Sequence, residues 1–298
     1  MNRLLLLLFF CGLGSLSNAQ VDTTDLLSML GPDEPTINYA TASFKTNRVI
    51  NLHSLENTAG GVLDFKISHR FGFLSGGLYE LFGLDQASMR LGFDYGITDR
   101  FQIGVGRSTY GKTIDGYLKF KILRQSNGAR VMPITLSVFS SMAGLGTKWN
   151  EPDRTNYFTS RLYFTHQIIM GRKFNDYFTL QLSPTLVHRN LVRTQTEKND
   201  VYALGAGARV RLSRRITLNA EYVYVLPNQL DPAYRNSVSL GVDIETGGHV
   251  FQLHFTNSTS MIEYGYITET TGDPLAGNIH FGFNISRVFT LTQAGRKQ

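Results

Sequence analysis

The sequence predicts an all-β fold: a transmembrane, antiparallel, up-and-down β-barrel of about twelve strands. Three observations carry this expectation. From about Gly61 onward, apolar and polar residues alternate with a period of two. The connections between alternating segments are short and long in turn. Aromatic residues gather at the segment ends. Alternation is the mark of a strand with two unlike faces. Unequal connections and terminal aromatics are marks of a barrel held between two membrane interfaces.

The chain opens with Met1-Asn2-Arg3, an apolar run from Leu4 to Phe10 and a weaker continuation to Leu16. Ser17-Asn18-Ala19 then offers the small residues that a signal peptidase reads. The run is too short for a membrane helix, so residues 1–19 read as a signal peptide cleaved after Ala19, with the outer membrane as destination. Cys11 is the only cysteine and lies in the discarded part. Phe9 and Phe10 precede it, where a lipoprotein signal needs small residues. The mature chain therefore carries no thiol, which excludes disulfides, iron–sulfur clusters and cysteine catalysis. Removal of Arg3 takes the 29 basic residues to 28 against 23 acidic ones, a net charge of +5. The basic residues are scattered, which argues against a nucleic-acid partner.

Residues 20–60 precede the regular alternation and read as a periplasmic or plug segment. Asp25 to Leu30 suits one or two helical turns before Gly31-Pro32, and Phe44 to Leu52 suits one further strand. Residues 61–298 read as the barrel domain. Its strands are expected near 61–70, 88–96, 101–109, 113–124, 131–141, 158–170, 177–188, 201–212, 215–225, 236–245, 248–257 and 278–288. In the last of these, Ile279, Phe281, Phe283 and Ile285 share one face, while His280, Gly282, Asn284 and Ser286 share the other. Each length suits a tilted membrane strand of about 9–11 residues.

Short turns are expected at Ile97–Arg100, Gln125–Arg130, Gly171–Asp176, Ser213-Arg214 and Thr246-Gly247. The alternate connections are longer, except at Tyr110-Gly111-Lys112. Long loops outside and short turns in the periplasm give an even strand count with both termini in the periplasm. Phe71, Phe73, Tyr95, Phe101, Tyr157, Phe158, Tyr177, Phe178 and Phe289 supply the interfacial girdles. A soluble sandwich also alternates, but it does not require these girdles or this loop asymmetry.

The segment His69-Arg70-Phe71-Gly72, and the run from Arg90-Leu91-Gly92-Phe93-Asp94-Tyr95-Gly96-Ile97 through Asp99-Arg100 to Gly104-Val105-Gly106-Arg107-Ser108, are similar to an uncharacterised outer-membrane β-barrel family of Bacteroidota, a domain of unknown function. The resemblance is clearest between about residues 60 and 125. It implies a membrane barrel, assigns no activity and carries over no catalytic residue.

The lumen-facing candidates are Asp64, Lys66, Arg70, Arg90, Asp94, Asp115, Lys119, Lys121, Arg209, Arg211, Glu221, Asp243, His254 and His280. Two readings stand open. The charges pair up and fill the barrel, or they line a narrow polar channel or binding cavity for small polar solutes. Barrels of about eight strands are filled by side chains and those of sixteen or more hold water, so twelve permits either. Basic residues outnumber acidic ones in the set, so an open lumen favours anions weakly. The expected partners are outer-membrane lipid, a small polar solute and, during biogenesis, the barrel-assembly machinery.

Three sharper motifs are weaker than they look. Gly106 to Thr113 fits the phosphate-loop pattern GxxxxGK[ST], but alternation from Ile114 to Ile122 makes the next element a strand, whereas the chemistry needs a helix. His249, His254 and His280 lack the close spacing of metal ligands, so no metal and no cofactor is expected. A lipid hydrolase would need a serine–histidine pair at the outer rim; His254 with Ser258 or Ser260 lies at that end of a strand, but the spacing is not diagnostic. No enzymatic activity is expected.

Overall fold

The computed structural model describes residues 36–149 and 151–292. The expected signal peptide, its cleavage after Ala19 and the turns at Asp25–Leu30 lie outside the described residues.

Twelve antiparallel strands close into a barrel among the described residues. In chain order the strands are β1 (Ile37–Tyr39), β2 (Val62–Phe73), β3 (Ala87–Gly96), β4 (Phe101–Ser108), β5 (Ile114–Leu123), β6 (Ser126–Gly128) and β7 (Thr135–Gly144). There follow β8 (Leu162–Lys173), β9 (Phe178–Arg189), β10 (Asp200–Arg211), β11 (Ile216–Val225), β12 (Ser237–Thr246), β13 (His249–Thr256) and β14 (His280–Thr290). Every barrel strand pairs with its neighbour in sequence, and β14 pairs with β2 to close the wall. The short β1 and β6 stand apart as a two-stranded pair. Closure leaves no unpaired edge in lipid, which is the condition for strands to span a membrane.

All twelve expected barrel strands are present. The largest shifts are in β7 and β8, which start about four residues late. Pro133 delays the first, and a tight helical turn at Phe158–Arg161 delays the second. The turn expected at Gln125–Arg130 is longer because Ser126–Gly128 is occupied in pairing with β1. The stretch from Gly106 to Thr113 is the end of β4 and a hairpin turn at Tyr110–Lys112, with Gly111 at φ 60°. It leads into β5, as the alternation predicts, so no phosphate-binding helix forms there.

The alternation has its predicted consequence. Along β5, Asp115, Tyr117, Lys119 and Lys121 are buried, while Ile114, Leu118, Phe120 and Ile122 are exposed. The apolar face is outside and the polar face inside, the reverse of a soluble sandwich and the arrangement that a lipid surrounding requires. Tyr157, Phe158 and Tyr177 are exposed at the strand ends, as girdle residues should be.

One expectation fails. Phe44 to Leu52 does not form a strand. A closed barrel has no free edge to receive one. The segment instead folds into a small hairpin inside the barrel, with Val49 N–H donating to the Leu52 carbonyl and Ser54 N–H to that of Asn47. Phe44, Val49, Ile50, Leu52 and Leu55 are fully buried there. The chain enters beside β1 and β6 on the short-turn rim, then leaves through Gly60-Gly61 to begin β2. From the long-loop rim a second segment folds inward. It contains α1 (Glu263–Thr268), six residues that are all buried.

Candidate functional site

The interior of the barrel is where the sequence concentrates buried chemistry, and the two ingrowing segments meet there. Thirteen of the fourteen lumen-facing candidates are buried. Arg211 is not brought in: it is the last residue of β10, half exposed at the rim, with its Nε donating to the Ser213 carbonyl.

The buried candidates fall into two groups. The first binds wall to wall. Lys66 lies 3.0 Å from Asp64 and 2.7 Å from Asp94. Arg90 forks onto Asp115 at 2.5 and 3.0 Å. Asp243 accepts from Gln252 at 2.6 Å and Thr217 at 3.3 Å. His254 is fully buried, and a side chain at either Gly241 or Gly282 would collide with it. The His280 ring lies 2.7 Å from the Phe71 carbonyl and 2.9 Å from the Thr259 hydroxyl. Lys121 is buried near the short-turn rim.

The second group grips the inserted hairpin. The Glu221 carboxylate accepts from the backbone N–H groups of Ile50, Asn51 and Leu52 at 2.9–3.1 Å. These donors sit at the hairpin tip, where no ladder partner exists, so the carboxylate replaces a neighbouring strand. Lys119 donates to the carbonyls of Ser54 and Glu56 at 2.7 and 2.5 Å. Arg209 donates to those of Ala42 and Ser43 at 2.7 and 3.2 Å. Arg70 holds the Asn51 side chain at 2.9 Å. Asn47 joins the wall network through Lys66 and Asp94.

Several contributors were not among the sequence candidates. Gln181 and Gln252 donate to the carbonyls of His53 and Val49 at 2.7 and 2.6 Å. Arg48 crosses from the hairpin to Glu263 of α1 at 2.9 Å, and His53 approaches the same carboxylate at 3.3 Å. The His53 ring packs against Tyr117 and Phe139, 4.6 and 4.2 Å between centres. A hydrophobic core therefore stands inside the barrel. Hairpin residues Val49 and Leu52, loop residues Ile262, Tyr264 and Ile267, and inward wall residues such as Ile169, Val187 and Val223 belong to one cluster. Gly205 and Gly207 make room for it: a Cβ there would come within 2.9 Å of Leu52 and 3.1 Å of Val49.

At the long-loop rim, Tyr110 and Arg193 approach Glu269 at 3.5 and 3.6 Å. Burial pushes the Glu269 carboxyl above its ordinary value, against the pull of Arg193 and Arg189.

Ser258, Ser260 and His254 are all buried inside the barrel, away from any lipid-facing rim. His249 is half-buried at the opposite end of β13 from the long-loop rim.

No curated protein matches the sequence. Among solved structures, the chain is similar to the NanC porin at 7% identity and TM-score 0.47, over 76% of this chain and 98% of that one. It is similar to the KdgM porin at 8% identity and TM-score 0.47, over 76% and 99%. It is also similar to the COG4313 outer membrane channel from Pseudomonas putida F1 at 12% identity and TM-score 0.45, over 79% and 98%. A family model of the membrane bound beta barrel domain (DUF5777) matches residues 44–289, from the first buried residues of the inserted hairpin to the end of β14. The chain thus belongs to this membrane-bound β-barrel family, and its inner hairpin falls within the matched domain.

Proposed function

We propose that the protein is a narrow outer-membrane channel for small polar solutes, closed at rest by its own N-terminal hairpin. The observation that carries this reading is the grip of Glu221 on Ile50, Asn51 and Leu52. A carboxylate on the wall holds backbone donors of an inserted segment that enters from one rim and belongs to no sheet. The Glu221 part of this hold is made by hydrogen bonds to backbone alone, which water can replace at each atom when the hairpin moves.

Release would also expose charge. Lys119, Arg209 and Arg70 would lose their partners on the hairpin, and Glu221 would lose its three donors. Glu263 would likewise lose Arg48, and three cations against two anions leave the opened lumen weakly selective for anions. The thirteen buried lumen candidates act here as wall and latch. The barrel-assembly machinery inserts the barrel in this reading, and outer-membrane lipid surrounds it.

The reading gives the barrel no enzymatic role. Its support is the burial of His254, Ser258 and Ser260, which removes them from lipid. A second reading, a permanently filled structural barrel, is favoured by one observation: Arg48 and Glu263 bind hairpin to inward loop through a buried ion pair.

Conductance of refolded residues 20–298 in a planar bilayer separates the two. A closed wild type that gives discrete steps after Glu221→Ala supports the channel. A variant that keeps the barrel's heat-modifiable migration, releases its hairpin to protease and still never conducts supports the filled barrel.

A further inference from the structure

We infer that the outer wall around Ser140 and His166 is an interface between two copies of this chain in the membrane. The inference concerns the lipid-facing surface and does not rest on the channel reading. Three exceptions to barrel chemistry coincide on this one patch.

The first is polar. Ser140 on β7 and His166 on β8 are register partners on the outward face, and the hydroxyl lies 3.0 Å from Nδ1. His166 is four residues in from the long-loop end of β8, which is about 13 Å along the strand. That places the pair inside the apolar band, which is about 25 Å tall. An ionisable side chain facing lipid at such depth is rare, because residues of this kind face protein or a cavity.

The second is in the backbone. Pro184 stands in the middle of β9, where it has no N–H to give. The ladder between β8 and β9 runs to Gln167 opposite Thr185, stops, and resumes at Met170 opposite Leu182. A broken ladder at membrane depth is tolerated where protein covers it. The third is shape. A groove of about 640 Å³ lies over the same strands, walled by Phe101 and Phe120 on one side and by Leu186 and Tyr202 on the other.

The chemistry of the pair selects a second copy as occupant. If the Ser140 hydroxyl donates to Nδ1, the imidazole carries its proton on Nε2 and can donate outward, while the hydroxyl oxygen can still accept. One patch thus offers one donor and one acceptor. Two identical patches related by a two-fold axis satisfy each other, imidazole to hydroxyl in both directions. An acyl chain would fill the groove but leave the Nε2–H without an acceptor. A lipid ester lies at the interface, too high to reach them.

The test uses Ile168→Cys in otherwise wild-type protein, since Cys11 is the only native cysteine and falls in the expected signal peptide. Ile168 and Leu253 are about equally exposed, at 46% and 45%, on different sides of the barrel. Mild oxidation in native membranes is expected to give a disulfide dimer at Ile168→Cys at least fivefold more abundant than at Leu253→Cys. Adding Ser140→Ala with His166→Leu should remove most of that excess while heat-modifiable folding persists. Equal cross-linking at the two sites would overturn the inference. So would a monomer with bound lipid in native mass spectrometry of wild-type protein. If the double substitution fails to fold, the comparison of the two single cysteines still decides.

Discussion

Glu221 shows how one side chain can replace a strand. The hairpin tip has three N–H groups that no ladder reaches, and a single carboxylate takes all of them. Replacing it by alanine orphans three buried donors. Hydrogen bonds to charged groups are worth roughly 1.5–3 kcal/mol, so Glu221→Ala should weaken hairpin docking by about 3 kcal/mol. Limited proteolysis on the folded barrel measures this, with cleavage near Ile50 expected to rise by about a hundredfold. Gly205 tests the fit from the other side. A Cβ there meets Leu52 at 2.9 Å, so Gly205→Val should displace the hairpin yet leave the outward residues of β10 untouched. The expected result is the same protease sensitivity with unchanged heat-modifiable migration. The phase of each wall residue was legible in the sequence, because alternation alone sends Glu221, Lys119 and Arg209 inward. What each would meet was not. These three meet a segment more than sixty residues away in sequence, and no local pattern encodes such a contact.

Among the elements, the strands were legible and the two ingrowing segments were not. A strand announces itself by period two, but the hairpin at 47–54 is held by side chains from many strands. Two signals in the sequence do point to the filled interior. Alternation fades between β8 and β11, where Ile168-Ile169-Met170, Leu186-Val187 and Tyr222-Val223-Tyr224-Val225 are apolar on both faces. A barrel wall needs apolar inward residues only where something apolar lies within. The long connection after β13 also carries Met261-Ile262 and Tyr266-Ile267, too much apolar surface to leave in water. The two segments are joined by Arg48 and Glu263. Breaking a buried pair by removing one partner costs roughly 3–5 kcal/mol, so Arg48→Ala and Glu263→Ala should each destabilise strongly. The double replacement should cost less than the sum of the two, a non-additivity measurable by urea unfolding in detergent.

At the scale of the whole molecule, a twelve-stranded wall encloses more room than its own side chains occupy. This chain fills it from both rims. Charges on the β2–β5 wall are mostly neutralised within the wall, as with Lys66 and Asp94 or Arg90 and Asp115. These pairs should keep the barrel closed on itself when the hairpin moves. Removing residues 20–58 should therefore leave a barrel that still inserts, and its reversal potential in a salt gradient should show weak anion preference.

The most direct measurement is single-channel conductance of refolded residues 20–298 beside the Glu221→Ala, Arg48→Ala double variant. A channel latched by its hairpin gives a wild type that is silent at low voltage and a variant with discrete, reproducible steps. A wild type that conducts steadily while its hairpin stays protected from protease would contradict it. So would a folded variant with a released hairpin and no conductance.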